Sequence, residues 1–105
     1  MANSNKLLRH VVLLKFKDDI KSSDLKNLED SFCALEKKIS SIKSFECGQN
    51  ISKEGLSQGF THCYLLTFTN EQDRDEYLVH PEHKAFVELI SSHMEKALVV
   101  DYWNQ

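Results

Sequence analysis

Proline occurs once and glycine three times in 105 residues, which excludes collagen-like, linker-rich and low-complexity chains. Positive charge is not in excess either. Thirteen Lys plus Arg stand against sixteen Asp plus Glu, a net charge of −3. No basic stripe or RNA-binding aromatic signature accompanies them, so nucleic acid is not an expected partner. The longest wholly apolar run, Val11–Leu14, is far short of the ~18 residues of a membrane span, and no membrane is expected. Met1–Asn5 lacks the charged and apolar regions of a secretory signal. Three cysteines, Cys33, Cys47 and Cys63, are an odd number without CxxC spacing, so neither a disulfide framework nor a zinc site is expected. A reducing, cytoplasmic setting follows, with the cysteines serving as small buried hydrophobes.

What is present is an ordinary apolar share, 41%, in a chain the length of one domain. Such a chain buries about two-thirds of its unfolded surface and needs no metal or disulfide to fold. Residues 1–6 are expected to be a disordered tail and 7–103 the folded domain. Five histidines are the compositional oddity.

Hydrophobic periodicity organises the rest. Arg9–Lys17 alternates as a strand, with His10, Val12, Leu14 and Phe16 on one face and Val11 and Leu13 on the other. Ser22 or Ser23 is expected to cap a helix, with Asp24 in its first turn. Leu25, Leu28, Phe32, Leu35 and Ile39 then recur at steps of three and four, an apolar stripe ending near Ser40. Lys43–Gln49 reads as a short strand, with Phe45 and Cys47 on one face and Gly48 marking a bulge or the strand's end. Asn50–Gly59 is polar and reads as a loop. Phe60–Phe68 is a strand with Phe60, His62, Tyr64, Leu66 and Phe68 on one face. Asn70 fits an N-cap for a short helix through Val79, and Pro81 fits the first position of another, with His80 at its start. Phe86, Leu89, Ile90 and His93 line one side of that helix, and Ala97–Trp103 closes the chain as a strand.

The order is β-α-β-β-α-β, a ferredoxin-like α+β arrangement with a four-stranded sheet. Helices cover one face of such a sheet. Val11, Leu13, Cys63, Leu65 and Val99 are then expected on the other, an apolar patch approaching the few hundred Å² that monomers rarely expose. A second copy covering it, in a two-fold sheet-on-sheet homodimer, is the expectation; the alternative is a monomer whose sheet is softened by Thr61 and Thr67.

Several segments carry a family resemblance: His10–Asp18, Lys43–Glu46, Gln58–His62, Thr67–Phe68, Tyr77–His83 and Val99–Tyr102. Gly-Phe-Thr-His followed by His-Pro-x-His is its most specific part. From about Leu7 to Trp103 the chain resembles the stress-responsive A/B barrel family, dimeric ferredoxin-like proteins whose two sheets form an α/β barrel. The olivetolic acid cyclase type within it closes a linear polyketide by intramolecular aldol chemistry without metal or organic cofactor. That resemblance implies His83 as general base, Tyr77 as its partner at the substrate carbonyl, and His10 and His62 as pocket residues. Cys47 stands where the family commonly has Trp, Glu82 where a small residue is usual, and Lys84 where an apolar one is common.

The residues themselves point the same way. His10 and His62 share a strand face with Tyr64, so both imidazoles are expected between sheet and helices, with Tyr64 and Phe86 lining a pocket for a small apolar or aromatic molecule. His83 follows Pro81 in a first helical turn, where the positive helix end keeps an imidazole neutral, as a base must be. Tyr77 fits a donor to an enolate oxygen. The plainer reading makes His10 and His62 hydrogen-bonded core residues, His80 a helix cap and His93 a partly buried bystander. His80-x-x-His83 lacks the HExxH spacing, and neither metal nor cofactor is expected. Three functions remain: a homodimeric barrel with a His/Tyr-lined ligand pocket, a cofactor-free polyketide cyclase or lyase using His83, or a structural, protective assembly.

Overall fold

A computed structural model of the protein describes residues 6–104. The expected tail lies, but for Lys6, outside these described residues. The elements run β1 (Leu8–Phe16), α1 (Ser22–Lys38), β2 (Ser44–Gln49), β3 (His62–Phe68), α2 (Glu71–Val79), α3 (Pro81–Ser91) and β4 (Met94–Trp103). One sheet of order β2-β3-β1-β4 holds all four strands, each pair antiparallel. This is the ferredoxin-like arrangement, with its second helix broken in two. The break has a local cause: Pro81 has no N–H to continue α2, and it starts α3 instead.

Alternation along β1 produces the two faces. Leu8, His10, Val12, Leu14 and Phe16 are buried beneath the helices, and the residues between them are not. β3 repeats the pattern with His62, Tyr64, Leu66 and Phe68. Leu28, Phe32 and Leu35 of α1 close over them, with Ile39 just beyond the helix and Phe86 and Ile90 from α3. Phe32 is the hub: its ring lies 4.5 Å from Phe86, 4.8 Å from Tyr64 and 5.1 Å from Phe45. Asn70 caps α2, its side chain accepting from the Asp73 N–H at 2.8 Å.

Six expectations need correction. Neither serine caps α1: Lys21 holds the cap position in extended backbone, makes no side-chain bond there, and leaves Ser22 as the first helical residue. Gly48 pairs in register with Cys63, and the irregularity falls between Lys15 and Phe16 instead. Val99 pairs with Val12 and so lies on the helix side; Leu98 and Val100, opposite Leu13 and Val11, lie on the uncovered face. Phe60 precedes β3, after Gln58 and Gly59 turn the chain through positive φ, so the strand's alternation does not reach it. Its ring sits under the Lys96 ammonium rather than in the core. Cys33 and Cys47 are exposed and Cys63 is half-buried. β2 is an edge strand of which only Phe45 is partly covered, so Cys47 gains no core position. Leu89, expected beside Phe86 and Ile90, is likewise exposed.

Candidate functional site

His83, Tyr77 and His10 form one cluster. His10 stands on β1 with only 5% exposure, Tyr77 is buried on α2, and His83 is half-buried in the first turn of α3. The Tyr77 ring lies 4.3 Å from His83 and 5.7 Å from His10, in an edge contact with the latter. Phe68 completes the wall, 5.3 Å from Tyr77 and 6.1 Å from His10.

Each imidazole is held through its Nδ1. His83 Nδ1 lies 3.2 Å from the Leu78 carbonyl, which can only accept, so the N–H is on Nδ1 and the Nε2 lone pair is free to take a proton. Burial, then the nearby His10 and His80 rings, hold the His83 pKa below the ordinary imidazole value, against the Leu78 bond, which favours the charged form. Burial pushes the Tyr77 phenol well above its ordinary range, so it stays a protonated donor. His10 Nδ1 lies 2.7 Å from Asp101 Oδ1, and Arg74 Nη1 donates to the other oxygen of Asp101 at 2.9 Å. Arg74–Asp101–His10 is thus a chain of charge-assisted contacts ending beside Tyr77. A base, a neutral donor and an oriented imidazole on apolar walls can remove a proton next to a carbonyl and stabilise the resulting enolate.

His62 is not in that cluster. It pairs with Leu14, whereas His10 pairs with Leu66, so four residues along β1 separate them, about 13 Å. It belongs with Tyr64 and with Phe16, whose ring meets it edge-on at 5.2 Å. The Tyr64 hydroxyl donates to Glu29 Oε2 at 3.1 Å, and burial beside that carboxylate pushes the phenol pKa far up. Phe86 packs on Phe32, which in turn packs on Tyr64. His80 accepts from the Glu82 N–H at 3.1 Å and so caps α3.

Asp101, Arg74 and Glu29 were missed in the sequence. Asp101 interrupts the apolar run Val99–Trp103, and Glu29 stands four residues after Leu25 and three before Phe32, inside the apolar stripe. Both were legible as charges where a core side chain was due. A concavity of about 710 Å³ lies apart from the His10–Tyr77–His83 cluster, on the uncovered face, with Val11, Leu13, Leu65, Leu98 and Tyr102 in its lining and His62 among its lining residues too. Among the described residues, no group of three or more His, Cys, Asp or Glu side chains gathers around a point a metal ion could occupy. None of their helices is long and apolar enough to cross a membrane.

The sequence model of the stress responsive A/B barrel domain matches residues 8–104. A stress-response A/B barrel domain-containing protein of Arabidopsis thaliana, HS1, is 34% identical over 95 residues, covering 90% of this chain and 87% of the relative. Olivetolic acid cyclase of Cannabis sativa is 28% identical over 95 residues, covering 90% and 94%. A dimeric protein of ferredoxin-like fold from Bacteroides fragilis superimposes with a TM-score of 0.71 at 30% identity, over 91% of this chain and 94% of that one.

Proposed function

The chain belongs to the stress responsive A/B barrel domain family, and from that premise we propose that it is a homodimer whose sheet–helix interface binds a small apolar or aromatic carbonyl compound. The observation that carries this is the convergence of His10, Tyr77 and His83 on one apolar-walled point, with His83 Nε2 free. The domain is taken as 7–103, and three free thiols suit a reducing cytoplasm.

A second reading is favoured by the depressed pKa of His83: a cofactor-independent cyclase or lyase. His83 Nε2 takes the proton from carbon next to the ligand carbonyl. The electron pair moves to the carbonyl oxygen, which Tyr77 O–H stabilises; the enolate carbon then attacks a second carbonyl in the same molecule, whose π pair goes to its oxygen, and that alkoxide takes the proton back from His83. Proton exchange next to the carbonyl of phenyl ethyl ketone in heavy water separates the two. The enzyme reading expects acceleration that His83→Ala abolishes, by roughly 10²–10⁴-fold, while binding survives. Binding without exchange leaves the pocket and removes the base; absence of binding refutes both.

The dimer rests on the uncovered face. Val11, Leu13, Cys63 and Leu65 are half-buried there, and Leu98, Val100 and Tyr102 are about half exposed. A stable interface takes about 800 Å² per partner, which such a face of four strands can supply. Sedimentation at the single-chain mass of 12.2 kDa at micromolar concentration would refute it.

A further inference from the structure

One buried polar atom is left unused by the pocket. His62 is 8% exposed and its Nε2 has no hydrogen-bond partner. The place of its proton follows from its neighbours. The Thr61 hydroxyl lies 2.8 Å from His62 Nδ1 but 3.4 Å from the Leu14 carbonyl, which already accepts from the Thr61 N–H at 3.0 Å. Nε2 faces the Glu29 carboxylate, which favours the tautomer with its proton on Nε2, and Nδ1 then accepts from the Thr61 hydroxyl. That N–H faces Glu29 Oε2 at 3.8 Å, beyond hydrogen-bond reach. The same oxygen accepts from Tyr64, and the carboxylate keeps lone pairs to spare. A donor and an acceptor thus confront each other across a gap. The Glu29 side chain is itself 31% exposed.

We propose that Glu29, His62 and Tyr64 form a polar subsite for an uncharged hydroxyl group on the ligand, at the end of the helix-covered face away from His83. The ligand oxygen accepts from His62 Nε2–H and donates its proton to Glu29. A carboxylate there meets the negative charge of Glu29, and an ammonium meets the N–H of His62; a hydroxyl suits both. The separation along β1, about 13 Å, makes the ligand elongated: a carbonyl near Tyr77, an apolar middle against Phe32 and Phe86, and a terminal hydroxyl. Glu29 is the specificity-determining residue.

This subsite rests on the sheet–helix interface being the ligand pocket, and one calorimetric comparison on the full chain tests the two separately. The probes are phenyl nonyl ketone and its terminal alcohol. The wild-type protein binds the alcohol about tenfold more tightly, the worth of a hydrogen bond completed in a buried site. Glu29→Leu, on a partly exposed helix position, abolishes or reverses that preference, and His62→Phe abolishes it while keeping a ring. Equal wild-type binding of both probes, or a preference that persists in Glu29→Leu, overturns the subsite but not the pocket. Binding of neither probe overturns the pocket and the subsite with it.

Discussion

Replacing Asp101 with alanine removes the partner that holds His10 beside Tyr77. The bond is short, 2.7 Å, and His10 is 5% exposed, so its Nδ1–H is left without an acceptor inside the core. Losing a hydrogen bond to a charged partner costs about 1.5–3 kcal/mol. The Asp101 side chain is itself 24% exposed, and water reaching the gap lowers the cost to about 1–2 kcal/mol. For a chain of this size each kcal/mol moves the melting temperature by about 4–8 °C, so a fall of roughly 4–16 °C is expected. Asp101→Asn keeps a carbonyl oxygen for His10 but loses the charge facing Arg74, and should fall between wild type and alanine. Arg74→Met, which breaks the partly exposed pairs with Asp101, Asp75 and Glu71 but leaves the His10–Asp101 bond, should cost about 1 kcal/mol or less. Urea titrations at one fixed protein concentration measure all three, since a dimer's stability depends on concentration. A loss below about 0.5 kcal/mol in Asp101→Ala would refute the view that Asp101 anchors His10.

Further expectations concern the base, the interface and the core. The His83 pKa is lowered in the fold, so its contribution to stability is fully present above the unfolded value of about 6.5 and is lost as pH falls below it. Proton exchange catalysed by neutral His83 should be flat at neutral pH and decline only below that value. A decline beginning above pH 7 would contradict the direction of the shift. Val100→Glu should shift sedimentation to the single-chain mass, whereas Val99→Glu, on the helix side of β4, should not; the reverse outcome would place the interface on the wrong face. Phe32→Ala should cost about 3–5 kcal/mol in urea unfolding, because it empties the position that three aromatic rings share. A cost under about 1 kcal/mol would mean that the hub collapses freely.

The strands that could be read in advance are those buried on one side only. In β1 the alternation of buried and half-buried residues is regular, and in β3 it holds from His62 to Leu66 before buried Thr67 breaks it, so His10, His62 and Tyr64 fell on the expected face. β4 carries apolar residues on both faces, Leu98 and Val100 on one, Val99 and Trp103 on the other, so its pattern has no preferred side. Only pairing with β1 places Val99 opposite Val12. Phe60 was misplaced for a related reason: alternation holds only where the backbone is extended, and the positive φ at Gln58 and Gly59 interrupts it. The cluster of His10, Tyr77 and half-buried His83 was foreshadowed by Pro81, which sets His83 in a first turn, and by the shared face of β1. The separation of His62 from it was not, because face assignment carries no distance along the strand. Glu29 and Asp101 were visible as charges in apolar stretches, but their partners, Tyr64 and His10, are 35 and 91 residues away in the chain.

The most direct test of the ligand site is nuclear magnetic resonance of the histidine and tyrosine rings during titration with phenyl ethyl ketone. The resonances of His10, Tyr77 and His83 are predicted to shift together and saturate at one concentration, with His93 and the residues of the uncovered face unmoved. Shifts confined to Val11, Leu13, Leu65 and Tyr102, or no saturable shift at all, would contradict a site between sheet and helices.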